Sequence, residues 1–113
     1  MTGGRSPKVK GSRFERSVVD FLRGAGLPQA ARTLAGASED RGDISGVANA
    51  VLECKSATRI DLAGWMAEAR LEAENAGLPR FAVIAKRRGV ADVAEAYAVM
   101  PLWLLAELLR GDS

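Results

Sequence analysis

The sequence predicts one α/β domain in which helices flank a small central mixed β-sheet. Apolar residues make up 48% and charged residues 27% of the 113 residues, as in an ordinary globular protein. A chain of this length buries a single core. Segments with helical and strand-like patterns follow one another in the order α-β-β-α-β-β-α, which is typical of a sheet covered by helices.

The first helix is predicted over residues 13–23. Phe14 and Val18 begin a series of apolar residues at helical spacing. Ser12 is the predicted N-cap, and Glu15 three residues later completes a capping box. Two glycines after residue 23 end the helix.

Two strands and a second helix follow. A short strand is predicted over residues 30–34, and the apolar segment "NAVLECKSA" predicts another over residues 49–57. The intervening "AGASEDRGDISG" is rich in Gly, Ser and Asp and is expected to be a loop. Residues 61–75 carry an apolar stripe at helical spacing, with Asp61 as a candidate cap.

The last third of the chain predicts two strands and a closing helix. The segment "RFAVIAKR", residues 80–87, has the apolar run of a buried strand. The segment "AYAVM", residues 96–100, is expected at a sheet edge. Pro101 suits the first turn of a helix over residues 102–109.

Composition excludes several kinds of site. The chain has no histidine, so histidine-dependent triads, histidine-ligated zinc and histidine general bases are excluded. A metal would be held by carboxylates and carbonyls, which favour Mg²⁺ or Mn²⁺. The single cysteine, Cys54, forms no intramolecular disulfide and fits a reducing compartment, so we expect a cytoplasmic protein. No apolar run reaches membrane-spanning length, and the basic start lacks a signal-peptide core.

The strand "VLECK" carries charge where apolar residues are expected. Side chains alternate faces along a strand, so Glu53 and Lys55 point to one side while Leu52 and Cys54 point to the other. Cys54 is therefore expected to be a small core residue rather than a reactive thiol. Taken alone, Glu53 and Lys55 fit a solvated strand face at least as well as a functional site.

The neighbouring turn "RGDISG" favours the functional interpretation. Gly42 and Gly46 allow unusual backbone angles, and a hairpin-like return would place Asp43 beside Glu53. Two adjacent carboxylates repel each other unless a cation lies between them. Lys55 would add positive charge for phosphate chemistry.

The motif "GD" at Gly42-Asp43 followed by "ECK" at 53–55 is similar to the PD-(D/E)XK nuclease signature, with glycine in place of the proline. The segment "KGSRFERSVVDFLRGAG" resembles the first helix of archaeal-type Holliday junction resolvases, which also occur in phages. The order of elements and the tail "AYAVMPLWLLAELL" fit the same family. The resemblance covers nearly the whole chain except the first ten residues, and it implies a small restriction-endonuclease-like core.

The resemblance also implies roles for individual residues. Asp43 and Glu53 would bind Mg²⁺ or Mn²⁺, with the main-chain carbonyl of Cys54 as a further ligand. Lys55 would be the catalytic lysine. Glu15 would approach from the first helix and bind metal directly or through water, and its alternative role is the capping box.

Many superfamily members place a glutamine on the helix after the lysine strand. Glu68 and Glu72 are the candidates here, and neither is included in the predicted catalytic set. The implied activity is metal-dependent cleavage of branched DNA by two symmetric cuts, in a bacterial or phage-infected cell. The alternatives are a related nuclease acting on flaps, ends or duplex, a non-catalytic DNA-binding protein, and a chance motif in an adaptor.

Clusters of basic residues predict contact with DNA. Residues 1–10 lack periodicity and are expected to form a flexible basic arm before the domain at 11–113. The predicted phosphate contacts lie in the arm, the first helix and two loops: Lys10, Arg13, Arg16, Arg41, Lys86, Arg87 and Arg88. Trp65 and Trp103 are expected in the core or in a homodimer contact, because apolar residues surround both.

Overall fold

The computed structural model of the chain describes residues 7–33 and 41–111. Five strands form one sheet in the order β1-β2-β3-β4-β5, with three helices packed around it. In chain order the elements are α1 (Pro7–Gly24), β1 (Ala31–Arg32), β2 (Ile44–Val47), β3 (Ala50–Lys55), α2 (Leu62–Ala76), β4 (Arg80–Ala85), a 3₁₀ turn (Val93–Glu95), β5 (Tyr97–Val99) and α3 (Leu102–Arg110). The predicted α/β class with a mixed sheet and flanking helices is confirmed.

The two central strands β3 and β4 are parallel, whereas the other neighbouring pairs are antiparallel. Parallel neighbours need a crossover connection, and α2 supplies it. The carboxyl ends of β3 and β4 therefore lie side by side, with Lys55 opposite Ala85. Loops that follow both strands meet at this end of the sheet.

Each face of the sheet carries its own apolar core. On one face, Phe14 and Val18 of α1 pack against Ile44 and Leu52. On the other face, small residues of α2 pack against the remaining apolar residues of the central strands; this cluster is Val51, Ala69, Ala73, Phe81 and Val83. Alternation along β3 thus sends odd-numbered residues to α2 and even-numbered residues to α1.

The closing helix α3 is attached near the beginning of β4. Leu104 is buried, and Glu107 accepts a hydrogen bond from Arg80 at 3.2 Å. The Trp103 ring meets Phe81 edge-on, with ring centroids 6.0 Å apart. Among the described helices, none is both long and apolar enough to cross a membrane.

Helix α1 begins at Pro7, earlier than the predicted residue 13. The predicted capping box is therefore wrong, because Ser12 lies inside the helix. Proline is well suited to a first helical turn, where the missing N–H has no partner to lose. Residues 7–10 of the predicted arm are helical; the first six residues lie outside the described part of the chain.

A further strand, β2, lies in the segment that was expected to be a loop. It pairs antiparallel with β3, and the turn between them places Ala48 and Asn49 at φ 46° and 58°. Two successive positive φ angles are typical of the tight hairpin turns that match strand twist. Glycine and serine in β2 concealed it, because its stability comes from pairing with β3 rather than from local propensity. The short strand predicted over residues 30–34 is β1, and residue 34 lies outside the described part.

Candidate functional site

The β2–β3 hairpin brings Asp43 to the charged end of β3. Gly42 has φ 86°, and a side chain there would collide with Val51, so only glycine fits this approach. The Asp43 N–H donates to the Leu52 carbonyl at 3.0 Å, and the Cys54 N–H donates to Asp43 Oδ2 at 2.8 Å. The predicted hairpin-like return of Asp43 to this strand is confirmed.

Glu53 and Lys55 point toward α2 and do not form a solvated strand face. The Glu53 side chain is only 8% exposed, and its Oε2 lies 3.2 Å from Lys55 Nζ. Lys55 Nζ also lies 2.6 Å from Glu68 Oε1 on α2. A buried carboxylate and a lysine shared between two carboxylates therefore form the centre of this region.

The burial of Glu53 carries a large electrostatic penalty. Burial, followed by the negative charge of Asp43, raises the pKa of Glu53 from 4.5 to about 8, although Glu72 beside it opposes the rise. Its Oε1 atom is enclosed and has no hydrogen-bond partner among the residues that the structure describes. A divalent cation would relieve both features, since carboxylate oxygens are the ligands that Mg²⁺ prefers. The donor set around Glu53 thus fits such an ion.

Lys55 remains a cation in this setting. Burial lowers the pKa of Lys55, but the hydrogen bond to Glu68 and the charge of Glu53 outweigh that effect, and the net pKa is raised. The ammonium group is therefore held in place with its charge retained. A fixed cation beside a carboxylate pair is suited to stabilising charge on a phosphate group.

Two carboxylates that the sequence prediction left out lie in the same place. Oxygens of Glu53, Glu68 and Glu72 all lie within 4.8 Å of one another, and Glu72 is buried. Spacing could have revealed them. Residues 68 and 72 share one face of α2, and Glu72 stands between the core residues Ala69 and Ala73. A charged residue within an apolar stripe signals a buried polar partner.

Glu15 lies on α1, which packs on the opposite face from α2. Its carboxylate pairs with Arg32 at 3.2 Å. Burial, followed by the charge of Asp43, raises the pKa of Glu15, whereas Arg32 lowers it. The charge of Asp43 thus acts on Glu15, and the start of α1 at Pro7 contradicts the predicted capping-box role. The metal contact of Glu15 stays a prediction, as does that of the Cys54 carbonyl.

The Cys54 side chain agrees with its predicted role in packing. It is partly buried against the apolar cluster under α1. Burial, followed by the charge of Asp43, raises the pKa of the thiol. Since the thiolate is the reactive form, this cysteine is a poor nucleophile.

Basic residues gather where β3 and β4 end. The Lys86 N–H donates to the Lys55 carbonyl at 2.9 Å, which joins the basic loop to the site strand. A cleft of about 470 Å³ opens between the loops after the two strands, lined by Ser56–Thr58 and Lys86–Ala91. A smaller cleft of about 200 Å³ continues toward α1, where Arg13 lies beside Lys86 and Arg87.

The remaining predicted DNA contacts are less closely grouped. Arg16 and Arg41 are exposed and line neither cleft. Arg87 pairs with Glu95 at 3.6 Å and lies 5.0 Å from the centre of the Tyr97 ring. The side chain of Lys10 lies outside the described part of the chain. Contact with DNA stays a prediction for all of these residues.

The chain matches no protein-family model, no curated protein and no solved structure.

Proposed function

We propose that this protein is a metal-dependent DNA endonuclease of the PD-(D/E)XK type, and that its substrate is branched DNA such as a four-way junction. One observation supports the proposal most strongly. A single hairpin joins Asp43 to the strand of Glu53 and Lys55, with 2.8 Å between Asp43 Oδ2 and the Cys54 nitrogen. The resemblance to Holliday junction resolvases supplies the substrate class. The proposed location is the cytoplasm of a bacterial or phage-infected cell.

In this proposal the acidic residues hold Mg²⁺, and Mn²⁺ can replace it. Asp43 and Glu53 are the principal ligands, with the Cys54 carbonyl and Glu15 completing the set. When bound, the ion supplies Lewis-acid stabilisation of a phosphate and a lowered pKa for an attacking water. Glu53 would lose its proton on becoming a ligand, because a carboxylate binds a metal in its ionised form.

Lys55 acts on the phosphate. Its Nζ is held by Glu53 and Glu68, so the ammonium needs little reorganisation when the substrate arrives. In this proposal its positive charge stabilises the negative charge that develops on the phosphoryl oxygens. Glu68 serves as a positioning residue, since it acts through Lys55.

In this proposal the basic clefts beyond the ends of β3 and β4 hold the DNA backbone. Lys86, Arg87 and Arg88 follow β4 directly and lie beside the end of β3. Contacts of this kind position a duplex without reading its bases, because phosphates carry no sequence information. Selection of a junction would therefore come from shape.

A cleavage assay tests the proposal. A labelled four-way junction, a flap and a linear duplex are incubated with Mg²⁺ and the wild-type protein, Lys55→Ala or Asp43→Asn. Paired cuts in the junction are expected, with a loss of roughly a thousandfold in both variants while junction binding persists. Arg70→Ala is the matched control, because it removes an exposed cation of α2 that lies over Phe81.

The outcomes separate the alternatives. Preferred cutting of the flap or the duplex would keep the site and overturn the junction as substrate. Binding without cutting, in both Mg²⁺ and Mn²⁺, would contradict the proposed enzymatic activity and favour a non-catalytic DNA-binding protein. If Lys55→Ala cuts DNA as fast as the wild type, this site is not the catalytic site.

A further inference from the structure

Tyr97 is an exposed aromatic residue at the edge of the sheet. It begins β5 and is 54% exposed. The guanidinium carbon of Arg87 lies 5.0 Å from the centre of its ring, within the range of a cation–π contact. Arg87 Nη1 also lies 3.6 Å from Glu95 Oε1, which offsets part of the arginine charge. The guanidinium and the ring are thus held next to each other at the surface.

The strand register places Tyr97 in one row with Lys55. Lys55 is the partner of Ala85, and Ala85 is the partner of Tyr97, so the three residues lie side by side across β3, β4 and β5. Paired residues of neighbouring strands point to the same face of a sheet. Val99, two residues further along β5, packs in the apolar cluster under α2. Tyr97 therefore lies on the face of the sheet that carries Lys55.

The distance between Lys55 and Tyr97 suits a single strand of DNA. Two strand spacings separate the two backbones, which is about 10 Å. Ala85 lies between them and has only a methyl group as a side chain. Successive nucleotides of one DNA strand advance about 3.4 Å along a duplex, so a base at Tyr97 would lie within about three nucleotides of a phosphate at Lys55.

We propose that Tyr97 and Arg87 form a stacking platform for a nucleobase that has an exposed face, as at the branch point of a junction. The inference rests on the proposed function, because it requires DNA to approach Lys55. Aromatic rings and guanidinium planes both stack on bases, and they do so whatever the sequence because every base has a π-face. Inside a continuous duplex both faces of a base are covered by its neighbours. The platform would therefore favour branched DNA over linear duplex.

The basic clefts adjoin the stacking platform. Arg87 lines the cleft of about 470 Å³ together with Lys86 and Arg88, and it also lines the smaller cleft together with Arg13. Cations of this kind hold phosphates without reading bases. A strand whose phosphates lie in the clefts would thus pass the platform, where an exposed base can turn onto the Tyr97 ring.

Fluorescence anisotropy of labelled DNA in EDTA tests the platform without cutting. Tyr97→Ala should weaken binding of a four-way junction roughly tenfold, as for the loss of one stacked base, and leave the affinity for linear duplex unchanged. Tyr97→Phe keeps the ring and should bind the junction like the wild type. Phe21→Ala is the matched control, because Phe21 is an aromatic residue of α1, 43% exposed, that lines neither cleft. Circular dichroism checks that all three variants stay folded.

A fluorescent base gives a direct readout of stacking. The junction carries 2-aminopurine at its branch point, and stacking on an aromatic ring quenches the fluorescence of this base. The fluorescence of the bound junction should be lower with the wild type and Tyr97→Phe than with Tyr97→Ala. The same base placed inside a paired arm should give equal fluorescence with all three proteins.

Equal junction affinities for the wild type and Tyr97→Ala, or an equal loss in Phe21→Ala, would overturn the platform. An equal loss of affinity for junction and duplex in Tyr97→Ala would overturn base stacking in favour of a general contact. Cutting in Mg²⁺ by a protein that shows no Tyr97 effect would overturn the platform alone. A Tyr97 effect in a protein that cuts no DNA would overturn the nuclease alone, and a wild type that binds no DNA would overturn both.

Discussion

The carboxyl end of β3 and the outer face of α3 depart from the usual distribution of residues in opposite directions. At β3 a glutamate is buried against further carboxylates, whereas at α3 leucines face outward. Charged residues are seldom buried without a partner, and contiguous apolar surface is seldom left exposed. Each region therefore carries a free-energy cost in the isolated chain without metal. A cation would lower the cost at β3, and contact with another apolar surface would lower the cost at α3.

The two regions differ in the kind of contact that would offset the cost of the buried charge in one and of the exposed leucines in the other. The burial of Glu53 beside Asp43 would be relieved by the proposed cation, because carboxylate oxygens are ligands that Mg²⁺ prefers. The leucines of α3 are relieved by a second apolar surface, and no ion would help them. Three changes separate these two regions, and a fourth concerns the basic loop after β4; the largest expected effect comes first.

Raising the pH should destabilise the metal-free protein through Glu53, and to a lesser extent through Glu15, because the pKa of both carboxyl groups is raised. Between pH 4.5 and about 8 the folded state keeps the Glu53 proton and the unfolded state does not, so the free energy of unfolding falls as pH rises. The expected loss across this window is at most about 5 kcal/mol. Urea unfolding in EDTA at several pH values measures it.

Glu53→Gln is the control for that pH dependence, since glutamine has the same shape and no titrating proton. It should be more stable than the wild type at pH 8 and similar to it near pH 4.5. An equally steep pH dependence in Glu53→Gln would assign the effect to other groups.

Truncating leucines on the two sides of α3 should give unequal effects. Leu104→Ala removes a buried side chain and should lower the free energy of unfolding by about 3 kcal/mol. Leu109→Ala, at a concentration too low for association, should change it by less than about 0.5 kcal/mol. Thermal unfolding at low protein concentration gives both values. A large effect of Leu109→Ala there would mean that this leucine packs within its own chain.

Adding Mg²⁺ at pH 8 should stabilise the folded protein by about 2.7 kcal/mol when the ion is near a hundredfold above its dissociation constant. Glu53→Gln should abolish most of this gain. Asp43→Asn and Glu72→Gln then distinguish the two sets of donors that share Glu53. If Glu72→Gln loses the stabilisation by Mg²⁺ and Asp43→Asn keeps it, the ion is bound by Glu53, Glu68 and Glu72 and not by Asp43.

The smallest expected effect concerns the basic loop. Arg88→Gln should reduce the slope of log affinity for DNA against log salt concentration by about 1, as expected for the loss of one phosphate contact. Arg70→Gln on α2 should leave the slope unchanged. Fluorescence anisotropy in EDTA, at several salt concentrations, measures both. Equal slopes for Arg88→Gln and the wild type would exclude Arg88 from the DNA contact.

Local patterns predicted much of this molecule correctly. The α/β class, the strand of Glu53, the amphipathic second helix and the packing role of Cys54 all follow from side-chain periodicity. The return of Asp43 to that strand followed from two glycines and one acidic residue. Such features are decided by neighbours in sequence, through steric limits and alternation of faces.

The errors occurred where distant contacts determine the structure. β2 exists because it pairs with β3, and its own glycine and serine argue against a strand. Helix α1 continues back to Pro7, so Ser12 caps nothing and Glu15 pairs with Arg32 instead. Glu68 and Glu72 were recognised as candidates, but only the packing of α2 on the sheet brings them to Glu53 and Lys55.

Periodicity in the sequence was enough to place Glu53 and Lys55 on one face of their strand and to show that the closing helix is largely apolar. The tertiary structure decided which charges are buried together and which leucines remain exposed. The physical reason is that periodicity records the face to which a side chain points. Burial, pKa and ion pairing depend on what another part of the chain places opposite that face.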